Sequence, residues 1–122
     1  MITHLLPAET KPSRVVVLGG SGFVGAAVVD ALCKEEIPVV SFGSKELDLL
    51  ADAAVVDLSK QLDQNDHVVF ASAIAPCKTT DMLVDNVRMA SALCDAISIN
   101  NVKHLTYISS DAVYGDFDGP IT

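Results

Sequence analysis

The segment Gly19-Gly20-Ser21-Gly22-Phe23-Val24-Gly25 places glycines at the spacing Gly19-x-x-Gly22-x-x-Gly25, directly after the apolar run Val15-Val16-Val17-Leu18. Between a strand and a helix such glycines have distinct jobs. Gly19 permits a tight turn, a missing side chain at Gly22 lets backbone approach a pyrophosphate, and Gly25 lets the helix pack on the strand. The helix start adds unpaired N–H groups and a partial positive charge, so the chemistry on offer is phosphate binding. A glycine-rich turn without a ligand is the alternative. A P-loop is excluded, because it needs Gly-Lys-[Ser/Thr] where this chain has Gly25-Ala26-Ala27. The loop also lacks the Ser/Thr-rich character of a flavodoxin-like phosphate site.

If a dinucleotide lies on this loop, its adenosine ribose meets the end of the second strand, about 20 residues beyond the glycines. The chain offers Ser41-Phe42-Gly43-Ser44-Lys45 there, with no carboxylate before Glu46. Ser44 can donate a hydrogen bond to a 2′-phosphate and Lys45 can supply positive charge, which favours NADP over NAD. Lys45 is equally compatible with an ordinary solvated charge. A third stretch, Val68-Val69-Phe70-Ala71-Ser72-Ala73, ends in small residues suited to backbone passing under the nicotinamide end, so Ala71, Ser72 and Ala73 join the candidate cofactor contacts.

The elements that must position these residues alternate along the chain. Val15–Leu18 reads as a strand hydrophobic on both faces, and Phe23, Val24, Ala27, Val28, Ala31 and Leu32 recur at helical spacing to about Lys34. Val39, Val40 and Phe42 make a second buried strand, Leu47–Leu49 a short third, and Ala53–Leu62 a helix. Residues 68–73 form the next strand, closed at Ala75-Pro76. Leu83, Val87, Ala90, Cys94 and Ile97 form one stripe of a long helix over 81–98, read as the face that packs on the sheet, and His104–Ser109 is a final strand. Strands alternating with helices give the α/β class: a doubly wound parallel sheet of Rossmann type. Residues 1–13, with two prolines and no periodicity, read as a flexible arm, and 14–122 as one dinucleotide-binding domain.

Composition sets limits on partners. The 122 residues carry eight Lys+Arg against sixteen Asp+Glu, a net charge of −8, with no basic cluster, which argues against nucleic acid. No apolar stretch approaches the ~20 residues of a membrane helix, and the N-terminus lacks the pattern of a secretory signal. Cys33, Cys77 and Cys94 have no metal spacing and read as reduced, buried thiols of a cytoplasmic protein. With His4, His67 and His104 they form no ligand set, so no metal is expected.

On the segment VVVLGGSGFVG and on Tyr107-Ile108-Ser109-Ser110-Asp111-Ala112-Val113-Tyr114-Gly115-Asp116, the chain resembles the extended short-chain dehydrogenases, the NAD(P)-dependent epimerase/dehydratase family. The resemblance covers nearly all of residues 14–120 and implies a bound NAD(P), with the backbone near Phe23 and Val24 touching its pyrophosphate, and a small-molecule substrate, mostly a nucleotide sugar in that family. Alignment on Val113-Tyr114-Gly115 makes Ser110 the catalytic hydroxyl that would hydrogen-bond the substrate oxygen during hydride transfer. Read without the family, Ser110 is an ordinary polar loop residue. Asn86 matches a structural Asn of the family's equivalent helix. Family members often dimerise through two helices, one of them matched by residues 81–98.

The family's proton-moving pair is Tyr-x-x-x-Lys. Tyr114 is followed four residues later by Asp118 and Tyr107 by Asp111, so the pair is not within these 122 residues and Tyr114 reads as a packing or substrate-side residue. In the family the pair lies a few dozen residues further on, which marks this chain as the N-terminal part of a longer protein. Two readings follow: the cofactor-binding part of an NAD(P)-dependent epimerase, dehydratase or reductase, or a non-catalytic dinucleotide-binding module of the same superfamily. The segment SFGSKELDLLADAAV is loosely similar to reductases that complete deoxysugar synthesis, which ranks the reductase slightly higher.

Overall fold

The run Val15–Leu18 has no polar residue on either face, and a strand of that kind is stable only where both faces are covered. In the computed structural model, which describes residues 10–110 and 119, it is the interior strand β1 (Val15–Leu18), buried at all four positions. The chain continues through α1 (Phe23–Lys34), β2 (Val39–Phe42), α2 (Ala54–Gln61), β3 (His67–Phe70), α3 (Thr80–Asn100) and β4 (His104–Tyr107). The four strands form one parallel sheet in the order β2-β1-β3-β4, with Leu18 in register with Phe42 on one side and Phe70 on the other. The α/β class with a doubly wound parallel sheet therefore holds for the described residues.

Val16 and Leu18, with Val68 and Phe70 beside them, point to the side where Leu58 and Leu62 after α2 and Met89, Leu93 and Ala96 of α3 complete the main core. By the alternation of a strand, Val15 and Val17 face the opposite side, where α1 packs on β1 and β2. At that packing only Gly25 of α1 is fully buried. The chain leaves α1 through a Schellman turn: Glu36 N–H donates to the Cys33 carbonyl, Ile37 N–H donates to that of Leu32, and Glu36 takes a left-handed φ of 56°.

Several sequence expectations need correction. Residues 47–49 form no strand. Glu46 and Leu47 N–H donate to the Gly43 carbonyl and Leu50 N–H donates to the Asp48 carboxylate, so local turns use the groups a ladder would need. Leu47 and Leu49 still enter the core. Strand β2 is half-buried rather than buried, because it is an edge. In α1 the packed stripe is Gly25, Val28, Val29 and Leu32, while Phe23, Val24, Ala27 and Ala31 are exposed. The stripe expected to pack in α3 is split: Ala90 and Ile97 pack against the core, while Leu83 is 56% and Val87 61% exposed and Cys94 is exposed as well. Helix α3 is apolar on more than one face, and the stripe bearing the small Ala92 and Ala96 beside Met89 and Leu93 is the one that meets the core. All three cysteines are free and exposed rather than buried, lying on outer helix faces or, for Cys77, in the loop before α3.

At the amino edge of the sheet, Arg14 just before β1 grips Asp66 just before β3. Arg14 Nε donates to Oδ1 at 2.7 Å and Nη2 to Oδ2 at 2.5 Å, and Asp63 N–H adds a bond to the same carboxylate. Asp66 is 1% exposed. Burial pushes its carboxyl up, but the Arg14 and Asp63 bonds outweigh it and hold the group below the usual carboxylate value. Next to it, His67 of β3 faces His104 of β4 with ring centroids 5.4 Å apart. Burial first, then the charges of His104 and Lys103, lower the His67 pKa.

Candidate functional site

In an open parallel sheet, ligands collect at the carboxyl ends of the strands where the strand order reverses. Here the reversal lies at β1, because the chain goes from β1 to β2 on one side and then returns to β3 on the other. Three segments converge there. Gly19 N–H donates to the Phe42 carbonyl at the end of β2, and Ala71 N–H donates to the Leu18 carbonyl at the end of β1. Between them opens a cavity of about 300 Å³ lined by Gly19, Ser21 and Gly22, by Ser44 and Leu47–Leu50, by Ala71–Ile74 and by Met89.

The glycines of the loop divide into those the protein's own packing requires and one that it does not. Gly19 has a φ of 86°, and a Cβ there would meet Ser72 N at 2.7 Å. A Cβ on Gly25 would lie 2.0 Å from the Gly19 carbonyl oxygen, so the start of α1 sits directly on the loop. At Gly22 such a Cβ would meet, among the described residues, only that same carbonyl oxygen, at 3.4 Å, and its φ of −78° suits any residue. Internal contacts thus give little reason for glycine at Gly22, whereas close approach of an outside group does.

Gly22 is also the N-cap of α1, and no side chain caps that helix end, nor does its first turn carry an acidic residue. Helix α3 differs, because Thr79 accepts from Met82 N–H at its start. The uncapped end of α1, begun by a glycine that internal packing does not require, fits the phosphates of a dinucleotide. The apolar part of the cavity, between Leu49, Leu50, Ile74 and Met89, suits a flat ring.

Of the residues expected in the site, Gly19, Gly22, Ser44, Ala71, Ser72 and Ala73 line the cavity. Gly25 lies beneath the loop and shapes it. Phe23 and Val24 form the exposed first turn of α1, and Lys45 is exposed at the tip of the turn after β2; none of the three is on the cavity wall. Ser110 follows β4 on the same sheet edge, two strands from β1, and is not on the cavity wall either. The segment Val113-Tyr114-Gly115 and residues 1–9 of the arm lie outside the described residues.

Sequence reasoning does not mark Ser21, Leu47, Asp48, Leu49, Leu50, Ile74 or Met89 as cavity residues. The leucines stand in Glu46-Leu47-Asp48-Leu49-Leu50, where the alternation of Leu47 and Leu49 reads as a strand. Asn86 clasps Ile74, accepting from its N–H at 2.8 Å and donating to its carbonyl at 3.1 Å, and so fixes the cavity wall. Among the described residues no group of three or more His, Cys, Asp or Glu is placed to hold a metal, and no helix is long and apolar enough to cross a membrane.

Comparison with known proteins agrees with this geometry. Residues 15–122 match the model of the NAD dependent epimerase/dehydratase family. The fold is similar to a GDP-L-fucose synthetase from Naegleria fowleri bound to NADP, at 25% identity and a TM-score of 0.79, over 100% of this chain and 40% of that one. It is similar to a UDP-N-acetylglucosamine 4-epimerase from Bacillus cereus at 27% identity and a TM-score of 0.69, over 84% and 42% of the two chains. A short-chain dehydrogenase/reductase superfamily protein from Agrobacterium tumefaciens with bound NAD gives 27% identity and a TM-score of 0.68, over 84% and 34%. The chain thus spans less than half the length of each of these structures. Comparison with curated proteins gives no match.

Proposed function

The chain belongs to the NAD dependent epimerase/dehydratase family, and on that premise we propose that it is the dinucleotide-binding part of a cytoplasmic enzyme acting on a nucleotide sugar. The observation that carries this reading is Gly22: a glycine whose added Cβ would meet, among the described residues, only the Gly19 carbonyl oxygen at an ordinary 3.4 Å, at the uncapped start of α1 and on the wall of a cavity at the sheet's switch point. When bound, NADP or NAD supplies hydride exchange with a carbon bearing a hydroxyl or carbonyl group. The glycine loop and α1 hold the phosphates. Leu49, Leu50, Ile74 and Met89 enclose a flat ring, and Ala71–Ala73 let the remainder pass close to the backbone. Ser44 and Lys45 favour a 2′-phosphate, hence NADP.

Ser110 is the residue assigned to the substrate oxygen, hydrogen-bonding it while charge develops there. Proton movement needs a Tyr-x-x-x-Lys pair, which is not within these 122 residues, so turnover is a property proposed for a longer protein. The relatives' names, GDP-L-fucose synthetase and UDP-N-acetylglucosamine 4-epimerase, support a nucleotide-sugar substrate and leave reduction and epimerisation as the two candidate reactions. The exposed Leu83, Val84 and Val87 on α3 support a homodimer formed through that helix, which light scattering tests.

The deciding experiment uses the full-length protein. Fluorescence titration with NADPH and NADH tests the cofactor; absorbance of reduced nicotinamide during incubation with 4-keto nucleotide sugars tests reduction, and chromatography of UDP- and GDP-sugars incubated with NAD tests epimerisation, which consumes no net cofactor. Binding with either conversion supports the enzyme. Binding with no conversion of any nucleotide sugar marks a non-catalytic dinucleotide module, and failure to bind either dinucleotide overturns the reading.

A further inference from the structure

We infer that Glu46 is a cofactor-selecting residue: its carboxylate, folded back onto the end of β2, sets a negative charge at the ribose 2′-position and limits the preference for NADP. The inference rests on the dinucleotide reading above. Gly43 is the first residue after β2, at the carboxyl edge of the sheet, and both of its backbone groups are engaged by Glu46. Its N–H donates to Glu46 Oε2 at 2.8 Å, and its carbonyl accepts from Glu46 N–H at 3.2 Å and Leu47 N–H at 3.0 Å. The turn from Gly43 to Leu47 is therefore closed on itself, with a carboxylate seated against its first residue.

The place this carboxylate occupies is the one a strand-end side chain would take. A Cβ on Gly43 would lie 2.9 Å from Glu46 Oε2 and 2.5 Å from Ser21 Oγ. Ser21 belongs to the glycine loop and lines the cavity together with Ser44; Glu46 is not on that wall, and its link to the site is the Gly43 position it shares with Ser21. In dinucleotide-binding sheets an acidic side chain about 20 residues beyond the glycines accepts from the ribose 2′-hydroxyl. Here the strand-end residue has no side chain, and the acid arrives from further along the turn. A fixed negative charge beside the ribose tolerates a hydroxyl, which can donate to it, and repels a phosphate. Ser44 and Lys45, in the same turn, act the other way. The site thus balances opposed groups and accepts both dinucleotides.

The test is the ratio of NADH to NADPH dissociation constants, measured by fluorescence titration of the full-length protein, its Glu46→Gln variant and its Glu46→Ala variant. The Gln amide oxygen still accepts from Gly43 N–H, so the turn is kept while the charge is lost. The ratio should move toward NADPH by about tenfold in E46Q, the scale of one partly screened charge. In E46A the tether is lost as well, so both dinucleotides bind more weakly, but the ratio moves the same way. A ratio in E46Q within about twofold of the wild type overturns the role of the charge. So does a shift confined to E46A, which would make Glu46 a tether only. A wild-type protein that binds neither dinucleotide overturns the cofactor reading itself and this inference with it.

Discussion

Asn86 holds Ile74 by both of its backbone groups, and through that residue it ties the middle of α3 to the cavity wall beyond β3. The two bonds fix a stretch of loop that has no ladder partner of its own. Replacing Asn86 by Ala leaves the N–H and carbonyl of Ile74 without their partner in a half-buried place, a cost of about 2 kcal/mol. Asn86→Asp can still accept from the N–H but sets a carboxylate against the carbonyl, so it should be no milder. Both variants should lower the melting temperature and weaken dinucleotide binding together. A melting temperature unchanged in Asn86→Ala would show that the clasp contributes nothing.

The glycine loop makes a sharper prediction, because two of its glycines should fail in different ways. In Gly25→Ala the new methyl would sit 2.0 Å from the Gly19 carbonyl oxygen, which is backbone and cannot swing aside. The variant should lose about 3 kcal/mol or more, or fail to fold. In Gly22→Ala the methyl meets, among the described residues, only that oxygen at 3.4 Å, so stability should change by about 1 kcal/mol or less. Its dinucleotide binding should nevertheless fall by at least about tenfold, because the methyl stands where the phosphates approach. Thermal melts and NADPH titrations of the two variants separate shape from contact. Tight NADPH binding by a well-folded Gly22→Ala protein would remove the main support for the cofactor site.

Most of the fold was legible because β1 and β3 are continuous apolar runs and the glycines mark the turn into α1. The errors in the two helices share one physical origin. Apolar residues in α1 and α3 exceed what a single buried stripe can hold, and periodicity alone does not say which stripe meets the sheet. For α3 the choice fell to the smaller Ala92 and Ala96, not to Leu83 and Val87. Leu47 and Leu49 are core residues, as their type implies, but they arrive there from turns closed by Gly43 and Asp48. Within the site, the loop glycines and Ala71–Ala73 could be read in advance because their chemistry is backbone chemistry. Asn86 is marked only by the resemblance, since it acts by reaching back twelve residues to the Ile74 backbone, and the carboxylate of Glu46 closes on Gly43 N–H, a turn contact that residue type alone does not announce.

Glu36 gives a stabilising prediction. It occupies the left-handed position of the turn that ends α1, with a φ of 56°, where a Cβ is unfavourable. Glu36→Gly should relieve that strain and raise stability by about 0.5–1 kcal/mol, despite the greater freedom glycine gives the unfolded chain. Denaturant midpoints of the two proteins check the sign. A lower midpoint in the variant would mean that the unfolded-state entropy outweighs the strain.

The amino edge of the sheet should make stability fall with acid in two separate ranges. The His67 pKa is lowered in the folded protein, chiefly by burial and then by His104 and Lys103, from an ordinary value of 6.5. The unfolded chain therefore binds its proton first, so this contribution is complete above about pH 6.5 and is lost as pH falls through the folded value. The Asp66 carboxyl is likewise held below its ordinary 3.8; burial opposes this, and the bonds from Arg14 and Asp63 prevail. Its contribution is complete above about pH 4 and is lost below that as the carboxylate protonates. Denaturation midpoints measured from pH 8 to pH 3 should fall in both ranges. His67→Asn should flatten the upper range only. Asp66→Asn should flatten the lower range and also cost about 2–4 kcal/mol at neutral pH, because Arg14 keeps its charge and loses its partner. A His67→Asn protein that retained the full fall between pH 7 and pH 5 would assign that range to another group.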